Sequence, residues 1–299
     1  MNLTFWGVRG SIPTSGPSFV RYGGNTPCVE VTTDDGTILI LDAGTGIRAL
    51  GDRLASQKKA VTASILITHP HWDHIQGFPF FKPAFVPGNA ITIIGPERND
   101  ITLQRIIADQ MTHIYFPIEL HELAATISFH PVKEDEFMIG DVRVRTMYVN
   151  HPGFTVGYRI ESDGKSLVYI SDNEAFSAEM LKKATNFEPS VLSRFQSAGG
   201  DCNERIYDFA RGADVLIHDA TYTPEEYFAD KVTWGHSHYE FTLDVARKAG
   251  VRQLFLFHHE PSRSDDAMDD IVRRCAGIMA GKGDTFRCEA AREGAVFEW

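Results

Sequence analysis

"THPHWDHIQG", residues 68–77, places His69, His71, Asp73 and His74 within one short stretch, directly after the apolar run "SILI" at 64–67. Such a run reads as a buried strand, and polar groups at the carboxyl end of a strand are where α/β folds carry their chemistry. Imidazole nitrogens and carboxylate oxygens suit Zn²⁺, Mn²⁺ or Fe²⁺. So many unpaired polar side chains at one buried spot would carry a steep desolvation cost without a cation. One tetrahedral ion cannot use all of them and distant ligands too, so the cluster points to two ions.

The remaining ligands are sought at other strand ends. Apolar, β-rich runs recur at 2–8, 28–33, 37–44, 64–69, 90–95, 141–149, 155–161, 165–172, 214–221 and 253–259. Helical patterns fall at about 45–56, 100–112, 175–184, 239–249 and 266–279. His151 follows the run "RVRTMYV", Asp172 ends "LVYISD", and His258 ends "LFLFH". A carboxylate can bridge two cations through its two oxygens, which suits Asp172. We expect His69, His71 and His151 on one ion, Asp73, His74 and His258 on the other, and Asp172 shared. His259 competes with His258, but side chains alternate along a strand, so one of the two faces inward; we assign His258. Asp42, in "LILDAG", is expected to orient a ligand histidine. His113, His121 and His130 are read as structural.

The chain has 299 residues, 43% of them hydrophobic, and a formal charge of −11. No linker divides it, so one domain over 1–299 is expected, with helix-covered sheets burying the apolar strands. Cys28, Cys202, Cys275 and Cys288 form no C-x-x-C pair and are expected to be reduced thiols. The N-terminus lacks the pattern of a signal peptide, and no apolar run reaches membrane-spanning length, which gives a cytoplasmic expectation without membrane partners. An acidic chain disfavours a polyanion as main ligand, because phosphate backbones are usually met by a basic face.

Taken together, "HPHWDH", the Gly-rich opening "GVRGSIPT", "LDAGTG" and "YISDN" resemble the metallo-β-lactamase superfamily along nearly the whole chain. "LIHDATYT" (216–223) and "GHSHYEFTLDVARKAGV" (235–251) resemble the H-E-A-T and H-S-T segments of its tRNase Z-like phosphodiesterase branch. Asp219 replaces the glutamate of the first, and His238 replaces the threonine of the second. The resemblance implies an α/β, four-layer αββα sandwich with a dinuclear site at one edge, Zn²⁺ foremost and Mn²⁺ or Fe²⁺ as alternatives. It implies His236 as proton donor to the leaving oxygen, Asp219 as its orienting carboxylate, and Asp73 as a holder of the nucleophilic water. Two divalent ions about 3.5–4 Å apart would present a bridging hydroxide to phosphorus. Homodimers are implied as well.

The tRNase Z enzymes carry a basic, Gly/Pro-rich arm that grips tRNA, and no such insertion is read in this sequence. We therefore expect a small phosphodiester, first a cyclic nucleotide, and no long nucleic acid partner. A tRNA 3′-processing endonuclease and a cyclic ribose phosphate phosphodiesterase are the alternatives, followed by a thioester or lactone hydrolase on the same fold. Residues 105–122 mix aromatic and apolar side chains, and read either as a lid against a nucleobase or as a helix and loop packed on the core.

Overall fold

The computed structural model describes residues 1–97, 100–177, 180 and 203–299. Its strands form two seven-stranded sheets. The first contains β1 (Asn2–Gly7), β2 (Cys28–Thr32), β3 (Ile38–Leu41), β4 (Thr62–Leu66), β5 (Ala90–Pro96), β6 (Thr126–Val132) and β14 (Val296–Glu298), in the order β14-β1-β2-β3-β4-β5-β6. The second contains β7 (Glu136–Ile139), β8 (Val142–Tyr148), β9 (Val156–Ser162), β10 (Lys165–Ile170), β11 (Val215–Asp219), β12 (Gln253–Phe257) and β13 (Arg287–Ala290), in the order β13-β12-β11-β10-β9-β8-β7.

Three apolar clusters separate four layers. The central one, with Leu3, Phe5, Val31, Tyr158, Tyr169 and Phe257, lies between the sheets. On the outer face of the first sheet, a second cluster packs α1 (Ile47–Ser56) and α3 (Leu103–Asp109) through Leu50, Leu54, Leu103 and Ile107. A third covers the second sheet with α4 (Glu204–Ala210), α5 (Tyr239–Ala249) and α6 (Asp265–Lys282) through Ile206, Leu243, Val245, Met268 and Ile271. This is the αββα sandwich, and it explains why strands such as β11 and β12 are apolar on both faces.

Topology gathers the strand ends. β3, β4, β5 and β6 pair in parallel, as do β10, β11, β12 and β13. β8 and β10 are both antiparallel to β9, so they run the same way. The carboxyl ends of β3, β4, β8, β10, β11 and β12, which lead into Asp42, His69, His151, Asp172, Asp219 and His258, consequently meet at one edge. There the sheets are tied together: Val156 N donates to Thr68 O at 3.0 Å, Tyr158 Oη to Ile67 O at 2.7 Å, and Tyr169 Oη to Asp42 Oδ2 at 2.8 Å.

Every apolar run read as a strand carries one, and β3, β4, β8, β10 and β12 stop just short of Asp42, His69, His151, Asp172 and His258. β6, β7, β13 and β14 were not read from the sequence. They are the four edge strands, with half-exposed, interrupted patterns; β6 even contains Pro131, which an edge tolerates. Helix α4 was missed as well, and the reading of a helix at 175–184 falls largely outside the described residues. Cys28, Cys275 and Cys288 are free thiols, whereas Cys202 lies outside the described residues. Among the described residues no helix is long and apolar enough to cross a membrane.

His238 stands at the N-cap of α5, where its Nδ1 accepts from Phe241 N at 3.4 Å. Accepting requires a neutral ring. Burial lowers its pKa to about 4, against the opposing pull of Asp244. The unfolded chain takes up this proton near pH 6.5. The stabilising contribution is therefore complete above about 6.5 and is lost as pH falls from there toward 4, by at most about 1.4 kcal/mol per pH unit. A threonine at this position caps without titrating. We expect urea unfolding of His238→Thr to show a flatter loss of stability between pH 7 and 4.5 than the parent; parallel curves would contradict it.

Candidate metal centre

The helical turn α2 (Trp72–Ile75) begins immediately after His71, so the segment after β4 folds back on itself within a few residues. That reversal turns His69, His71, Asp73 and His74 toward one point. His69 Nε2 lies 2.9 Å from His71 Nδ1, and His151 Nε2 lies 3.1 Å from the same atom. On the other side, Asp73 Oδ2 is 3.3 Å from His74 Nε2 and 3.2 Å from His258 Nε2. Asp172 sits between the two groups. Its Oδ2 is 3.6 Å from His69 Nε2, 3.7 Å from His151 Nε2 and 3.5 Å from His258 Nε2, while its Oδ1 is 3.2 Å from His74 Nε2. Donor atoms of His69, His71 and His151, and those of Asp73, His74 and His258, lie within 4.8 Å of one another in each set. Ligands about 2.0–2.2 Å from a shared Zn²⁺ are spaced in this way.

The outward ring nitrogens decide the chemistry. His69 Nδ1 meets Thr68 Oγ1 at 3.0 Å, and the Thr68 hydroxyl in turn donates to Asp42. His74 Nδ1 meets Asp42 Oδ2 at 2.8 Å, and His151 Nδ1 meets Gly235 O at 2.7 Å. His258 Nδ1 meets Thr221 Oγ1 at 3.1 Å, while the Thr221 hydroxyl lies 2.7 Å from His258 O and 2.9 Å from Asp219 Oδ1. Each of these partners accepts, which puts the proton on Nδ1 and leaves an Nε2 lone pair facing inward. Four inward lone pairs and two carboxylates then surround one space. His74 Nε2 and Asp172 Oδ1 are buried there 3.2 Å apart, with no other hydrogen-bond partner. This donor set fits divalent cations.

Charge follows the same logic. Burial lowers His69 and His151 far below the ordinary histidine range, His151 to about 3, so both stay neutral. Burial would lower His74 as well, but Asp73, Asp172 and Asp42 outweigh it and hold His74 well above its usual value. Burial would raise Asp172, yet His258, His74 and His69 keep it well below the carboxylate range. A proton on His74 thus stands in for a cation, and ion binding displaces it.

The second half of the site lies on β11 and the loop before α5. Asp219, wholly buried, accepts from Thr221 N and Thr221 Oγ1 at 2.9 Å, from Asn173 N at 3.1 Å and from Ser237 N at 3.2 Å. His236 Nδ1 lies 3.1 Å from Asp219 Oδ2, and its ring stacks on His258 with centroids 4.7 Å apart. Burial depresses His236, but Asp219, followed by Asp172 and Asp73, raises it to about 9. The pair is rigidly presented at the edge of the histidine cluster.

Every residue singled out for the site from sequence is gathered here, with Asp42 behind His74. His259 turns away: its Nε2 donates to Ala291 O at 2.7 Å. Sequence reading missed Thr68, Thr221 and Glu174. Buried Glu174 accepts from Tyr227 Oη, Thr233 N and Gly235 N at 2.7–2.8 Å, and so fixes the loop that offers Gly235 O to His151. Its place directly after "SDN" was the available signal.

Gly10 is seated against the ring of His258, where an added Cβ would come within 2.4 Å of Cε1 and Nδ1. His258 itself is held in the left-handed region at φ 57, a conformation that persists only where the surroundings enforce it. Gly10→Ala is expected to weaken divalent-ion affinity about 10–100-fold, the usual cost of disturbing a ligand's support. Competition with a chelator, alongside circular dichroism to confirm folding, measures this; unchanged affinity would contradict the packing argument.

Residues 37–193, more than half of the chain, match the family model described as "Beta-lactamase superfamily domain". Among curated relatives, the "Ribonuclease Z" of Bacillus velezensis is 28% identical over 65% of this chain and 68% of its own length. That of Thermoplasma acidophilum is 25% identical over 90% of this chain and 89% of its own. Two solved structures share the fold: the metallo-β-lactamase fold protein YhfI from Bacillus subtilis, with TM-score 0.66 and 17% identity over 100% of this chain and 99% of that one, and the human short-form tRNase Z, with TM-score 0.63 and 18% identity over the same shares. The expectation of no long nucleic acid partner is corrected by these relatives, because Ribonuclease Z names an enzyme of RNA. The reasoning from net charge failed because −11 counts the whole chain, and such a sum does not give the field at one mouth. On this fold and this match, the chain belongs to the beta-lactamase superfamily, among the metal-dependent hydrolases of its phosphodiesterase branch.

Proposed function

We propose that the chain is a ribonuclease Z-like phosphodiesterase that cleaves RNA, with the 3′ end of precursor tRNA as its substrate class. The observation that carries this reading is the His236–Asp219 pair, 3.1 Å apart and stacked against His258 beside the histidine cluster. The alkoxide leaving a phosphodiester is a poor leaving group unless it is protonated, and a charged imidazole held beside the histidine cluster is placed to supply that proton.

In this reading His69, His71 and His151 would hold one divalent ion and Asp73, His74 and His258 the second, with Asp172 lying between the two groups. When bound, the ions supply Lewis acidity, lowering the pKa of water and offsetting charge on the phosphate oxygens. The other steps belong to the chain. Asp73, whose Oδ2 accepts from Ser11 N at 2.7 Å, is held as an acceptor beside the reacting phosphate and orients the attacking water. Asp219 takes Nδ1–H of His236 and thereby aims Nε2–H at the leaving oxygen. Its other acceptor sites are filled by Thr221, Asn173 and Ser237, so it cannot swing away. Once its proton is delivered, His236 is neutral and is recharged from solvent.

His236→Ala is expected to slow turnover about 10²–10⁴-fold, the range of a positioned acid, with metal content unchanged. Asp219→Asn should act in the same direction. His71→Ala should lose metal. Metal-loaded protein should shorten a precursor tRNA bearing a 3′ trailer faster than it hydrolyses 2′,3′- or 3′,5′-cyclic nucleotides. Full activity in His236→Ala would remove the proton-donor role, and hydrolysis confined to cyclic nucleotides would remove the RNA reading.

A further inference from the structure

Beside the histidine cluster runs a groove of about 1030 Å³ whose walls are aromatic. Trp72, between His71 and Asp73 in the chain, is 78% exposed on it. Phe80 and Tyr115 are 55% and 75% exposed, and Phe80 makes an edge-on contact with Phe116, centroids 5.4 Å apart. Large aromatic side chains left in water at one place mark a binding surface rather than a core. The groove adjoins the metal centre: Trp72 lies between His71 and Asp73 in the chain, and Pro70 and Ile106 line both the groove and a smaller cleft that includes His71.

The polar lining indicates what enters. Among the described residues no lysine or arginine lines the groove; its charged members are Asp100 and Asp109. Asp109 is ion-paired with Arg105 at 2.6 Å, and the wall itself presents aromatic rings. Gln110 lines the wall as well, and its Nε2 is buried with no hydrogen-bond partner. An aromatic wall is the complement of a base face. Residues 105–122 thus serve two ends: Ile107 and Met111 bury themselves in the core, while Tyr115 points to solvent over the groove.

We propose that this groove is a nucleobase subsite, in which the base next to the scissile phosphate stacks on Trp72 and Tyr115 while its phosphate lies at the histidine cluster. This rests on the RNA-cleaving reading above for its substrate, but it is tested separately. Base–aromatic stacking of this kind typically changes affinity by about tenfold or more.

The test titrates metal-loaded protein with adenosine and uridine 5′-monophosphates, which have no diester to cleave, and with ribose 5-phosphate, which has no base. The Trp72 signal is the difference in fluorescence between the parent and Trp72→Phe. Expected are quenching of that signal by the nucleotides and binding about tenfold or more tighter than ribose 5-phosphate. In Trp72→Ala and Tyr115→Ala the preference should fall toward one. Nucleotides that bind no tighter than ribose 5-phosphate, or a preference unchanged in both variants, would overturn the subsite. Cleavage of a short oligoribonucleotide, compared with one abasic beside the cut, links the subsite to a strand: a rate loss on removing the base supports it, and equal rates count against it. A protein that binds the nucleotides with quenching but cleaves no RNA refutes the RNA reading and leaves the base subsite standing.

Discussion

The structure depends on lone pairs brought together in one buried space between the two sheets. Four imidazoles spend their outward N–H on Thr68, Asp42, Gly235 and Thr221, so each turns its Nε2 inward beside Asp73 and Asp172. In an apolar sandwich such an arrangement repels itself unless positive charge is supplied. Much of the surrounding architecture holds those groups against that repulsion: the strands whose carboxyl ends meet at one edge, Asp42 held at φ 61, and Gly10 pressed on the ring of His258.

The same geometry divides the labour. Support for the inward nitrogens comes from both sheets, Asp42 and Thr68 from the first and Thr221 and Gly235 from the second. The hydrogen bonds between Thr68, Val156, Tyr169 and Asp42 lock the sheets together where the site lies. His236 is held differently, by the buried carboxylate that ends β11, fixed by Thr221, Asn173 and Ser237. A metal ligand needs a lone pair and a proton donor needs a proton; the structure gives His151 a carbonyl partner and His236 a carboxylate partner.

Much of this was legible in the sequence because metal ligands cannot be dispersed. H-x-H-x-D-H after an apolar run announces itself, and His151, Asp172 and His258 stand out because each follows such a run. Strands buried on both faces were legible for the same reason, being continuously apolar. The edge strands β6, β7, β13 and β14 were not, since half-exposed residues leave a weak period. Thr68, Thr221 and Glu174 were hidden because a hydroxyl or carboxylate that supports a ligand looks, in sequence, like any other. Net charge misled about the partner: a sum over the chain says little about the field in one mouth. The aromatic groove was half visible, as residues 105–122 showed their mixed character without showing that Trp72 and Phe80 face them.

The most direct measurement is anomalous diffraction at the metal edge from crystals grown with Zn²⁺ or Mn²⁺. The account predicts two peaks per chain, one enclosed by His69, His71 and His151 and the other by Asp73, His74 and His258, with Asp172 touching both. A single peak, none at this edge, or Asp172 turned away from the ions would contradict it.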